Sequence, residues 1–255
     1  MNVPSFHWWR TVFYLIPMIG IYTIVLGTIS IASSFLGGRG HFAHACARAW
    51  SRLILLTTRV SVQVSGLERL TPGSTYVFVS NHQSIYDIPV IFWSLPYQLR
   101  IIAKASLGSF PFLGWHLRRT GHLLVDRRNP DRDGILARWR DLLRQGLSLI
   151  VFPEGTRSPD GRVGRFKAGS FLLAIEAGLP VVPISIDGTR FVMPKGQLTT
   201  SPGAATLAVH EPIVTTDGSW QPTIEDARRL GARVHDVIAS QVEAWERAAG
   251  TWPSS

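Results

Sequence analysis

Tyr76-Val77-Phe78-Val79-Ser80-Asn81-His82-Gln83-Ser84-Ile85-Tyr86-Asp87 begins as an apolar, β-branched and aromatic run, breaks at a polar turn and then continues in helical spacing. Tyr76–Ser80 reads as a buried strand and Ile85–Ser94 as a helix. The same succession recurs on either side. Strands are expected at Val60–Val64, Arg100–Ala103, His122–Val125, Leu149–Phe152, Val181–Ile186 and Thr206–Val209. Helices are expected at Asp131–Gln145, Lys167–Ala177 and Thr223 to about Arg247, the last opened by Pro222, Thr223 and Asp226 as a cap. Strands alternating with helices specify an α/β fold, a largely parallel (mixed) sheet flanked by helices, over residues 61–255. Residues 187–203 read as the longest irregular stretch.

Ligands of such sheets bind outside the carboxyl ends of the strands, and His82 emerges at one of them. Asp87 follows five residues later, about 140° around a regular helix. The two side chains meet only if His82 lies in the turn and Asp87 on the helix. A carboxylate there fixes the imidazole tautomer and leaves the other nitrogen to accept a hydroxyl proton. Phe152-Pro153-Glu154-Gly155-Thr156-Arg157-Ser158 follows another strand. Gly155 permits an unusual turn, Thr156 offers a hydroxyl, and Arg157 offers a planar fork for a phosphate. Glu154 is expected to hold that arginine or bind a substrate hydroxyl. Lys104 and Arg127 end two further strands, and Lys167 adds to the field. These cations around a His–Asp pair describe a pocket for a phosphorylated molecule with a group to deprotonate.

Composition narrows the partners. Charged residues make up 17%, below the roughly 25% of soluble domains. The net charge of +9 suits an anionic membrane surface, a phosphorylated substrate or coenzyme A. No basic, aromatic-interleaved stretch suggests nucleic acid. The single cysteine, Cys46, excludes an internal disulfide and a CxxC metal site and reads as a packing residue. Residues 11–38 contain no Asp, Glu, Lys, Arg or His. As one helix they would measure roughly 42 Å, more than the ~30 Å hydrocarbon core requires. The run is too long for a signal-peptide core, and Pro17, Gly20 and Gly27 offer places to kink or fold back. Trp8 and Trp9 stand at its interfacial end. A second helix is expected over His41–Val60, with Arg48, Arg52 and Arg59 on one face toward anionic lipid headgroups. Residues 1–60 are thus a membrane-embedded helical motif. Arg39, Arg48, Arg52 and Arg59, against Arg10 upstream, put the remaining chain on the cytoplasmic side of the inner membrane.

Four ordered blocks carry a resemblance. They are the HX4D block Asn81-His82 through Asp87, Gly121-His122-Leu123-Leu124-Val125-Asp126-Arg127, Phe152 through Ser158, and Val182-Pro183-Ile184. Together they resemble the glycerolipid acyltransferase family, whose members include 1-acylglycerol-3-phosphate acyltransferases; the likeness spans about residues 60–190. The resemblance implies direct transfer of a fatty-acyl group from acyl-coenzyme A or acyl carrier protein to the sn-2 hydroxyl of lysophosphatidic acid, giving phosphatidic acid. It implies His82 as general base oriented by Asp87. Arg127, Glu154, Gly155, Thr156 and Arg157 would bind the glycerol phosphate with Lys104 as helper, and no cofactor or metal is required. No G-x-S-x-G elbow, nucleotide phosphate loop or H-E-x-x-H helix points elsewhere. Three alternatives stay open: another acceptor such as a lyso-ornithine lipid or other lysophospholipid, a non-catalytic lipid-binding protein of the same fold, and a thioesterase in which His82 activates water.

Overall fold

The strand stretches pair into one seven-stranded sheet in the order β1-β7-β6-β2-β5-β3-β4. The computed structural model describes residues 5–35, 40–126, 132–215 and 222–250. The strands are β1 (Val60–Ser65), β2 (Val77–Ser80), β3 (Leu99–Lys104), β4 (Leu123–Val125), β5 (Ser148–Val151), β6 (Val181–Asp187) and β7 (Gly203–Val209). All pairings are parallel except β6 with β7. The sheet is therefore mixed, as expected from the sequence. Its central strands β2 and β5 are buried along their whole length, which matches their uninterrupted apolar runs.

Alternate side chains of β2 feed two separate cores. Phe78 joins Ile150, Ile184 and Leu207 on one face, covered by Ile54 and Leu55 of α3 (His41–Thr58) and Val90, Ile91 and Phe92 of α4 (Asp87–Ser94). Val77 and Val79 join Leu149 and Val151 on the other. That face is covered by α6 (Arg132–Arg144), α7 (Gly169–Glu176) and α9 (Ile224–Ala248), with Trp139, Phe171, Val234 and Ile238 packed inward. Thr223 and Asp226 close a capping box at the start of α9. The consequence for function is local. The helix after β2 and the helix after β5 leave two adjacent strands toward opposite faces, which opens a crevice at their carboxyl ends.

The N-terminal segment is one apolar helix over Phe6–Ser33, long and apolar enough to cross a membrane, with few of its residues fully buried in the protein. It comprises α1 (Phe6–Arg10), a π-helical turn at Thr11–Leu15 and α2 (Ile16–Ser33). The turn ends two residues before Pro17, which has no N–H to donate and crowds the carbonyl four residues back, that of Phe13 within the turn. The helix continues through Gly20 and Gly27 without folding back. Trp50 Nε1 donates to Thr23 Oγ1 at 3.0 Å and Tyr22 bonds Thr57 at 2.9 Å, joining α2 to α3 as a hairpin. Thr200 N donates to Thr11 Oγ1 at 2.9 Å and ties the hairpin to the sheet domain.

Two details depart from the sequence reading. The second helix ends at Thr58, because Arg59 turns left-handed as its C-cap and Val60 opens β1. Arg59 therefore does not share a helical face with Arg48 and Arg52, whose guanidinium groups lie 5.7 and 5.1 Å from the Trp93 ring. Within the stretch read as irregular, α8 (Thr189–Val192) forms a helical turn entered through Gly188 at φ +86°. A Cβ on Gly188 would lie 2.2 Å from the Ala204 carbonyl oxygen, so that approach needs glycine.

Candidate active site

Asn81, the first residue beyond β2, is buried and uses both ends of its amide on one residue of β6. Its Nδ2 donates to Ile186 O at 2.8 Å and its Oδ1 accepts from Ile186 N at 2.9 Å. This anchors the turn, so His82 leaves the sheet in a defined direction. Asp87, the first residue of α4, is completely buried. Its Oδ2 accepts from His82 Nδ1 at 2.6 Å, Gln83 N at 2.8 Å and Ser84 N at 3.0 Å. Its Oδ1 accepts from Thr189 Oγ1 at 2.5 Å. Four donors thus hold the charge in place, which a buried carboxylate requires. Because Nδ1 donates to Asp87, Nε2 carries the lone pair. The ring stacks on Phe152 at 4.2 Å between centroids, with its side chain 18% exposed.

The β5 loop is bonded into the β2 turn. Glu154 Oε1 accepts from His82 N at 2.8 Å and Oε2 from Gly164 N at 3.1 Å. Ser158 N donates to His82 O at 2.7 Å. Glu154 therefore braces the backbone of the histidine turn, a contact that the sequence reading did not include. Burial pushes its carboxyl pKa up, partly countered by the two backbone N–H groups. Gly155 adopts φ +73°, and a Cβ there would lie 2.7 Å from Lys167 Nζ, so the loop passes directly under that ammonium group.

Of the remaining cations, Arg157 is half-buried, and its carbonyl accepts from Lys195 Nζ at 2.6 Å. Lys104 ends β3 at the same sheet edge, exposed, with β5 between it and β2. Thr156 is exposed beside Arg157. Arg127 lies outside the described residues. Sequence reasoning missed Thr189 and Lys195. Both belong to the stretch read as irregular, and neither bears a local signal of its contact.

Behind the histidine, an apolar cavity of about 180 Å³ runs between the N-terminal hairpin and the sheet. Ile85 and Ile88 line it next to the dyad, Leu26 and Trp50 from the hairpin, and Leu107 and Leu113 from the segments after β3. Ile85 and Ile88 flank Asp87 in the chain, which sets one wall of the cavity beside the dyad.

A family model described as Acyltransferase matches residues 61–187. A 1-acyl-sn-glycerol-3-phosphate acyltransferase of Pseudomonas aeruginosa is 30% identical over 255 residues, 96% of each chain. This chain belongs to the glycerolipid acyltransferase family. A chloroplastic relative in that family, from Brassica napus, is 36% identical over 178 residues, 69% of this chain and 51% of its own. The chain spans about half the length of the first curated relatives it matches. The crystal structure of a family member, the 1-acyl-sn-glycerophosphate (LPA) acyltransferase PlsC from Thermotoga maritima, superimposes with a TM-score of 0.79 at 30% identity. That match covers 96% of this chain and 97% of the other, so the acyltransferase α/β fold and the N-terminal helical segment are shared together.

Proposed function

We propose that this protein is a membrane-associated O-acyltransferase. It moves a fatty-acyl group from an acyl thioester to the sn-2 hydroxyl of 1-acylglycerol 3-phosphate, forming phosphatidic acid. The observation that carries the reading is the buried Asp87 on His82 Nδ1, which leaves Nε2 as a base, with an apolar cavity walled by Ile85 and Ile88 beside the dyad. The relatives' names favour lysophosphatidic acid as acceptor.

In the reaction, the acceptor hydroxyl gives its proton to His82 Nε2 as its oxygen attacks the thioester carbonyl carbon. Asp87 stabilises the imidazolium that results. The tetrahedral intermediate then expels the thiolate, which takes the proton back from Nε2, so the base is regenerated and no acyl-enzyme forms. Proton removal of this kind contributes about 10²- to 10⁴-fold, and fixing both reactants supplies more. Arg157, Lys104 and Arg127, with Thr156 and the backbone at Gly155, bind the acceptor phosphate, while Glu154 holds the turn. The donor is acyl-coenzyme A or acyl carrier protein, and no cofactor takes part. Residues 1–60 anchor the protein to the inner membrane, with the domain of residues 61–255 on the cytoplasmic side. The arginines of residues 39–59 support that orientation.

The test is to incubate membranes containing the protein with acyl-coenzyme A and a panel of lysolipids and to identify the products by mass spectrometry. Diacyl product from lysophosphatidate, lost in His82→Ala, is expected. Free fatty acid without acylated lipid would instead identify a thioesterase.

A further inference from the structure

Six side chains in the cavity wall carry heteroatoms: Thr23, Cys46, Trp50, Ser51, His116 and His122. The two hydroxyls are already engaged. Thr23 Oγ1 donates to Ile19 O at 2.8 Å and accepts from Trp50 Nε1, and Ser51 Oγ donates to Ala47 O at 2.9 Å. The two imidazoles are engaged at one nitrogen only. His116 Nδ1 bonds Ser30 Oγ at 2.8 Å, and His122 Nδ1 accepts from Ile101 N at 3.1 Å, which puts the proton of His122 on Nε2. Among the described residues, neither Nε2 has a hydrogen-bond partner. The rings stand 5.7 Å apart. Both stay neutral, because burial and then the Arg100 guanidinium push their pKa values down, His116 to about 4 and His122 well below the usual imidazole range. Each thus keeps one ring nitrogen without a protein partner in the wall of an apolar channel, where a polar group on a bound chain can pair with it.

Their depth is set by α4. Phe92 lies roughly 7–8 Å beyond Asp87 at 1.5 Å per residue, and its ring is 6.3 Å from that of His122. The imidazoles therefore lie toward the end of α4 remote from the dyad, where the later carbons of a bound chain, and not its first ones, would reach.

We propose that His116 and His122 form a polar station that selects acyl chains carrying a mid-chain hydroxyl group. The proposal rests on the acyl-transfer reading above. A hydroxyl both donates and accepts, so it satisfies the His122 Nε2–H and the His116 ring together, where a methylene satisfies neither. The hydroxylated chain can belong to the thioester donor or to the lysolipid acceptor, and the experiment separates the two.

The full-length protein in lipid vesicles is assayed with stearoyl-, 3-hydroxystearoyl-, 10-hydroxystearoyl- and 12-hydroxystearoyl-coenzyme A against 1-oleoyl lysophosphatidate. The reverse arm offers 1-(12-hydroxystearoyl) and 1-stearoyl lysophosphatidate to stearoyl-coenzyme A. A mid-chain hydroxyl is expected to raise kcat/KM three- to tenfold over stearoyl in one arm, with the 3-hydroxy donor giving no gain. That ratio should fall to near one in His116→Leu and His122→Leu, and His116→Asn should restore part of it. Where His122→Leu does not fold, the wild-type series and the His116 variants still decide. Turnover of stearoyl-coenzyme A with no mid-chain preference in either arm overturns the station and leaves the acyl-transfer reading intact. No diacyl product from any pair overturns both.

Discussion

Replacing Asp87 with asparagine removes one charge and almost no volume from the centre of the site. The substituted amide can keep its carbonyl oxygen where Oδ2 now accepts from His82, Gln83 and Ser84, with its NH₂ group toward Thr189, whose hydroxyl can turn to accept. The imidazole then stays in place, and only the stabilisation of its protonated form is lost. With charge centres about 4 Å apart and an effective dielectric near 20, that interaction is worth about 4 kcal/mol. At 1.36 kcal/mol per decade, kcat should fall roughly 10³-fold. Asp87 is fully buried and touches no substrate, so KM for lysophosphatidate should hold. Steady-state kinetics on vesicle-bound protein, with thermal unfolding as the control for folding, measures both. A kcat within tenfold of wild type in a folded D87N protein would refute the claim that this carboxylate stabilises an imidazolium.

Three further outcomes are expected. Thr189→Val removes one donor from the buried Asp87 carboxylate and should lower kcat three- to tenfold with KM unmoved, while Thr189→Ser restores the rate. Arg157→Ala should raise KM for a phosphorylated acceptor about tenfold, as loss of a charge-assisted contact does, and leave a phosphate-free acceptor unaffected in side-by-side kinetics. His116 and His210 are held neutral by burial, each with its pKa lowered to about 4. The unfolded chain then binds more protons than the folded one between about pH 6.5 and 4. Their contribution to stability is therefore complete above the unfolded value and lost as pH falls through that window. Chemical unfolding followed against pH should show this slope, and His210→Gln should make it shallower.

Much of this architecture could be read in advance, for identifiable reasons. The central strands are buried on both faces, so their apolar runs stand out, and the polar residues ending them mark one edge. The His82–Asp87 pair was legible because a turn followed by a helix start leaves few other placements for a residue five positions on. Thr189 was not. It reaches Asp87 across 102 positions of sequence through a short helical turn whose entry depends on Gly188 packing against Ala204. The antiparallel insertion of β7 between β6 and β1 was also hidden, since apolar alternation reports which faces are buried and says nothing about neighbours. The contacts of Glu154 were hidden because both partners are backbone N–H groups, which every residue carries and no side-chain pattern announces.

The reciprocal bonds among His82, Glu154 and Ser158 make the two loops one mechanical part. Neither can shift without dragging the other, so a graft of either loop alone into a sister scaffold would import half of a circuit. Variation at Glu154 is then felt first in the aim of an imidazole encoded 72 positions earlier. Over evolutionary time the two segments should be exchanged, or left alone, together.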